Sequence, residues 1–349
     1  MHHLVQEKAK TYLKHLKSGK MTSGSYLHKR LKDKDISQLS CDKFIEQLVQ
    51  TKQPQIFAES SVYGNGSDWN QPELSILGDI CIAIPVTVYD NGMHYRPKVH
   101  ALPFNATLLY IPGALLRNDT ANTPADWNEV VVNNQIDYDS YYSLYERRLL
   151  PLFIYLNAVA KSHHKQAFVT IPGIGCGQFA GKFRGQLGSL LKNVVFDFLN
   201  KNCNYFSSIK AVYYDPYQEC PNERLEINGI SLLIRPLTKG NESKPQLCEP
   251  QKYEEAKDDE FRECELFSFV AWDHVSWPGN DFYIGSRMTD DGVKSAATNS
   301  MTIMTDVQGD YNTTTNTYNP PKAYRNWKDV VINNRIEIQV KDNLIVLPS

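Results

Sequence analysis

Hydrophobic positions follow two rhythms along the chain. At 41–50, CDKFIEQLVQ places Phe44, Ile45, Leu48 and Val49 at helical spacing. Residues 137–164 read as a long helix that Pro151 bends or splits, and 185–202 carries the same periodicity. Continuous short apolar runs read instead as buried strands, at 80–89, 98–102, 106–112, 166–173, 209–216 and 266–273. Residues 224–237 predict a hairpin turning on Asn228-Gly229. A helix is expected over 290–304, loops over 58–73 and 310–321, and a last hairpin over 335–349. One echo stands out: DWNEVVVNNQID (126–137) against NWKDVVINNRIE (326–337), either two equivalent helix–turn devices or a coincidence of local structure.

Strands alternating with helices long enough to cross over predict an α/β fold, a mixed sheet with helices on both faces. In such sheets a ligand binds on the loops beyond the strand C-termini. Residues 1–55 read as a basic helical extension, with Lys8, Lys10, Lys14, Lys17, Lys20, Lys29, Arg30, Lys32 and Lys34 opposed by few acids. Packing on the main domain of 56–349 is the plain expectation for it; contact with a partner protein or an acidic membrane is the sharper one. The acid-rich stretch 238–265 reads as a surface insertion or linker.

Composition narrows the function classes. A net charge of −2 gives no reason to expect nucleic acid. No apolar run reaches the length of a membrane span, and MHHLVQEKAK lacks the apolar core of a secretory signal. The seven cysteines have no CxxC pair, which fits scattered thiols in a reducing compartment better than disulfides or a zinc site.

Two stretches carry candidate chemistry. IPGIGCGQFAG (171–181) sets Gly173, Gly175, Gly177 and Gly181 within nine residues after a strand. Backbone without Cβ can expose its N–H groups as a nest for phosphate oxygens, and the helix beginning near 185 would add its positive end. The pattern is neither GxxxxGK[ST] nor an opening GxGxxG, which argues against a P-loop kinase or a Rossmann dehydrogenase. A tight strand–helix turn explains the glycines equally well. AWDHVSWPGNDFYIGSRMTDDGVKSAATNS (271–300) gathers Asp273, Asp281, Asp290 and Asp291. One of these can cap the following helix. The others are either solvated loop acids or crowded carboxylates able to activate water or stabilise a cationic sugar carbon.

PGIGCGQFAG is similar to the diphosphate-binding loop of macrodomains, in the form seen in poly(ADP-ribose) glycohydrolase-like members, and GSRMTDDGVKSAATNS resembles their ribose-contacting loop. The spacing of eight residues from Asp273 to Asp281 and ten to Asp291, with WDHVSWPGNDFY, resembles the MavL-like macrodomain effectors of Legionella. The likeness covers 166–216 and 266–304, is vague over 60–140 and is not seen over 1–55. The ribose loop here follows the diphosphate loop, so the resemblance implies a macrodomain-like mixed sheet with rearranged, permuted strand order.

It also implies a hydrolase that removes ADP-ribose from arginine of a protein, ubiquitin in the MavL-like case, as a secreted bacterial effector in a host cytosol. Asp273, Asp281 and Asp291 would be the catalytic or distal-ribose acids. Backbone at Gly173, Ile174, Gly175, Cys176, Gly177, Gln178 and Phe179 would hold the diphosphate, and Gly279, Asn280 and Ser286 would shape the ribose pocket. Phe104 or Tyr214 would stack on adenine. Asp79 in LGDI is a weaker candidate for the adenine amine, against a plain strand-leading turn. No cofactor or metal is implied. The competing readings are a module that binds ADP-ribose without cleaving it, and a hydrolase whose Asp281, Asp290 and Asp291 ligate magnesium.

Overall fold

The computed structural model describes residues 1–340 and 343–348. Helices α1 (His3–Lys17), α2 (Ser25–Leu31) and α3 (Cys41–Val49) open the chain, followed by α4 (Gln71–Leu77). Their apolar stripes do not face water. Val5, Leu13, Leu27, Phe44 and Leu48 share one buried core with Trp69, Trp277, Tyr283 and Trp327.

Seven strands form the main sheet: β1 (Ile82–Asp90), β2 (Val99–Pro112), β3 (Ala167–Pro172), β4 (Ile209–Asp215), β5 (Glu223–Ile227), β6 (Ile230–Ile234) and β7 (Glu265–Trp272). Their order across the sheet is β1-β2-β7-β3-β4-β6-β5. The five inner strands run parallel, and β1 and β5 are antiparallel edges. Side chains alternate between faces as the strand period requires. Leu109, Ile111, Val169, Ile171, Val212 and Phe267 pack under α5 (Tyr138–Ser162) and α6 (Leu187–Asn202). Leu108, Tyr110, Phe168, Tyr213 and Leu266 face the other way, onto Leu247, Tyr253, Phe261 and Ala297.

Several sequence expectations need correction. The runs at 98–102 and 106–112 are one strand, because Pro103 falls where the β1–β2 register shifts and no ladder bond is needed from it. Pro151 does not divide α5. The helix expected over 290–304 is two, α7 (Asp290–Ala296) and α8 (Ser300–Thr305). The break docks on β1: Tyr89 N donates to Ala297 O, and Asn299 Oδ1 accepts from Thr87 N. Residues 247–264 are no linker, since Leu247, Cys248, Tyr253 and Phe261 bury themselves on the sheet. Within 310–321, Asp310–Asn312 and Thr317–Asn319 pair as a short ribbon. The expected hairpin over 335–349 lies partly outside the described residues, and its described part carries no strand.

The echoed segments differ. Asn133 and Asn134 take φ of 49° and 63° in a tight turn between two-residue strands, whereas Asn333 and Asn334 close the helix α9 (Trp327–Asn334). The hairpin at Asn228-Gly229 forms as predicted, with φ of 50° and 85°.

Candidate functional site

The inner strands all end on the same side, and there the sheet parts. The β3–β7 ladder pairs Ala167–Thr170 with Glu265–Ser268 and goes no further, whereas β2–β7 continues to Trp272 and β3–β4 to Asp215. The glycine loop leaves β3 on one side of this split and the acid loop leaves β7 on the other. A cleft of about 1130 Å³ opens between them. Its wall includes Gly173, Gly175, Cys176, Gly177, Gln178 and Phe179 from the first loop, and Asp273, Asn280, Asp281, Ser286 and Asp291 from the second. Adjacent parallel strands thus bring together segments about a hundred residues apart, where open α/β sheets place their ligands.

The glycines of the first loop answer to different needs. Gly175 holds φ at 74°, and a Cβ there would stand 2.8 Å from the Tyr145 hydroxyl and 2.9 Å from Ala114 N. That hydroxyl donates to Ile174 O at 2.7 Å and accepts from Ala114 N at 3.2 Å, pinning the loop to α5 and to the end of β2. Gly177 meets nothing within 4 Å of a built Cβ, so its wall of the cleft is bare backbone. Among the described residues the Gly175 and Gly177 amides donate to no acceptor, the condition for an anion nest. Arg117 and Arg184 border the same side. The expected helix end is taken: the Glu219 carboxylate accepts from Gly188 N at 2.8 Å in the first turn of α6.

The acid loop is built from its own donors. Asp273 Oδ1 accepts from Val275 N at 2.7 Å and Ser276 N at 2.6 Å, and its Oδ2 from Asn280 Nδ2 at 3.0 Å. Asn280 Oδ1 in turn accepts from Ile56 N at 3.0 Å. The chain after α3 braces this loop further. Gln53 N donates to Val275 O at 2.8 Å, Trp277 N to Gln53 O at 2.8 Å, and the Lys52 ammonium to His274 O at 2.6 Å. Burial pushes the Lys52 amine down to about 7, and its Nζ lies 4.0 Å over the Trp272 ring.

Asp281 accepts through Oδ2 from Met288 N at 2.9 Å and Thr289 N at 3.2 Å, and through Oδ1 from the Thr289 hydroxyl. The same hydroxyl lies 2.7 Å from Asp291 Oδ1. Burial, then the charge of Asp281, pushes the Asp291 carboxyl well above the usual range. Neither Asp281 nor Asp291 belongs to an ion pair among the described residues. A Cβ on Gly292 would fall on the Asp281 carboxylate, so the start of α7 closes on it only because residue 292 is glycine. Thr289, not either aspartate, caps α7.

Some expected residues lie elsewhere. Ile174 is fully buried, and Gly279 (φ 97°) stands behind the cleft wall. Phe104 and Tyr214 do not border the cleft: Phe104 packs on His100, and Tyr214 is buried with its hydroxyl on Gly188 O. Asp79 is fully buried between Arg147 and Arg148, at 2.7 Å and 2.9 Å, and Lys8 reaches it too. Trp277 is core, its Nε1 on Lys52 O.

The cleft also holds Asp215 and Lys294, which the sequence pattern did not single out, beside the expected Asp290. Asp215 ends β4, a position that the strand-end rule alone would have flagged; burial raises its carboxyl. Asp290 accepts from Ala271 N at 2.8 Å and from Lys294 Nζ at 3.0 Å. Lys294 Nζ also donates to Gln246 Oε1 at 2.8 Å and to Phe269 O, filling the split beyond the last β3–β7 pair. Among the described residues, no group of three or more His, Cys, Asp or Glu side chains is arranged to hold a metal ion.

Residues 1–324 match the family of the macrodomain effector MavL. The match begins at residue 1 and therefore takes in the N-terminal helices, over which no likeness was visible in the sequence. No curated protein matches the chain. With more than nine-tenths of its length matched, the chain belongs to the MavL macrodomain effector family.

Proposed function

We propose that this chain removes ADP-ribose from arginine of a modified protein, with ubiquitin as the first substrate to test, acting as a bacterial effector inside a host cell. Membership in a macrodomain family suggests ADP-ribose binding or processing. The observation that supports cleavage is the polarity of the cleft: free amides and arginines on one wall, and on the other the buried acids Asp281 and Asp291, neither of them in an ion pair among the described residues. The first suits a diphosphate, and the second suits a cationic sugar carbon or a guanidinium.

In this reading the bond from ribose C1′ to the guanidino nitrogen breaks, with its electron pair going to nitrogen. Water adds to C1′, and the proton that water loses ends on the departing guanidine, which leaves as guanidinium. Asp281 and Asp291 serve this chemistry, while Asp273 holds the loop and orients ribose hydroxyls. Incubation with arginine-ADP-ribosylated ubiquitin should release free ADP-ribose. Asp281→Ala and Asp291→Ala should abolish release while ADP-ribose still binds; full activity in both variants would remove the assignment.

A reader module that binds without cleaving is the second reading. It is favoured by one observation: the oxygens of Asp273 and Asp281 are largely consumed by donors of their own loop. Binding of ADP-ribose without release from any arginine-linked substrate would establish it.

A further inference from the structure

A hydroxyl group has one proton to give and two lone pairs to receive with. Thr289 Oγ1 has three partners: Asp281 Oδ1, Asp291 Oδ1 at 2.7 Å, and Gly292 N, which donates to it at 3.2 Å. Its proton can go to one carboxylate only. Were both acids ionised, one anionic oxygen would face a lone pair at hydrogen-bond distance, away from water. The donors settle which acid keeps the charge. Asp281 also receives two backbone amides, from Met288 and Thr289, whereas Asp291 has no donor besides the threonine among the described residues. If Asp291 carries a proton on Oδ1, all three contacts of Thr289 are satisfied: it accepts from Asp291 and Gly292 and donates to Asp281.

We infer that Thr289 is a positioning residue that keeps the Asp281–Asp291 pair singly protonated, with the proton on Asp291 and the charge on Asp281. This rests on the hydrolase reading above for its consequence, though not for its geometry. The surroundings agree. The groups facing Asp291 are Asp281, Asp273 and Asp290 from its own loop, Tyr283 from the same loop and Tyr110 from β2. Lys294 acts on it with the opposite sign, but its ammonium is engaged by Asp290, Gln246 and Phe269 O. Burial and the three carboxylates press towards the neutral form.

The arrangement gives a balanced cycle. Asp291 gives its proton to the departing guanidine nitrogen, and Asp281 takes one from the attacking water. The pair resets when Asp281 passes that proton to Thr289 Oγ1, whose own proton moves to Asp291. No net proton is gained or lost, and no further reactant enters.

Infrared difference spectra at neutral pH test the proton directly. The carbonyl band of a protonated carboxylic acid should be present in the wild type, absent from that position in Asp291→Asn, and retained in Asp281→Asn. A band lost only in Asp281→Asn, or the same spectrum in Asp291→Asn as in the wild type, overturns the assignment whether or not the protein hydrolyses anything. Thr289→Val should lower kcat on arginine-ADP-ribosylated protein about a hundredfold with ADP-ribose affinity within a few-fold. Thr289→Ser, which keeps the hydroxyl, should restore most of the rate. Equal kcat in the Val variant and the wild type removes the positioning role and leaves the hydrolase reading standing.

Discussion

Asp79 and Asp291 are both carboxylates withdrawn from water, and the molecule treats them in opposite ways. Asp79 sits in a closed charge cluster with Arg147, Arg148 and Lys8, and Arg148 continues to Asp126 and His274. Burial alone would raise its carboxyl, but the two arginines and Lys8 outweigh it and hold it at about 2. Asp291 has Asp281 for its nearest charge and is pushed the other way. The first cluster fastens α5 to the loop after α4 and, through Arg148 Nη1 on Pro112 O at 3.1 Å, to the end of β2. With Glu129 on Arg147 at 2.7 Å, three carboxylates meet three cations, and none of them borders the cleft. The second is unbalanced and lines it. Missing countercharge, more than burial, separates the acids of this cluster from those that line the cleft.

Breaking the balanced cluster should have the largest effect. Asp79→Asn leaves two buried guanidinium groups short of charge and should cost about 3–5 kcal/mol in urea unfolding. Because the Asp79 carboxyl is lowered on folding, its contribution is present at neutral pH and is lost as pH falls from 3.8 towards about 2. An acid-unfolding transition insensitive to Asp79→Asn would contradict the contrast.

Activity comes next. Asp281→Ala should reduce ADP-ribose release at least about a hundredfold, read by chromatography of the free nucleotide. Gly177→Val, which places a branched side chain on the bare wall of the nest, should weaken ADP-ribose binding by calorimetry at least tenfold, about 1.4 kcal/mol.

The unbalanced cluster should respond with the opposite sign. A carboxyl raised on folding makes the folded state hold more protons than the unfolded one, so its contribution falls as pH rises above 3.8. Asp291→Asn removes that burden and should stabilise the protein at neutral pH by on the order of 1 kcal/mol, the gain shrinking as pH is lowered. A destabilised variant at pH 7 would place Asp291 with the structural acids. The smallest effect is expected from Asn280→Ala, about 1 kcal/mol, through loss of the bridge from Ile56 N to Asp273.

Strand identity, the Asn228-Gly229 hairpin and both cleft-forming loops were legible from local pattern, because apolar runs and turn residues act over a few positions. The partition of the acids was not. Nothing in LGDI tells that Asp79 will meet Arg147 and Arg148 some seventy residues on. Nor does TDDG say that Thr289 takes the cap and frees Asp291 to face Asp281. The paired segments around Trp127 and Trp327 teach the same lesson: nearly one sequence, yet the dipeptide Asn-Asn bends left-handed in the first and ends a helix in the second. Tertiary surroundings chose between conformations that the local chain allows equally.

Residues 52–56 cross behind the acid loop and are hydrogen-bonded to it at several points. A protease nick ahead of this strap, at the exposed Lys32 or Lys34 between α2 and α3, would sever only α1 and α2 from the rest of the chain. The strap itself, which follows α3, would stay hydrogen-bonded to the acid loop, so such a cut alone would leave the carboxylates of the cleft braced.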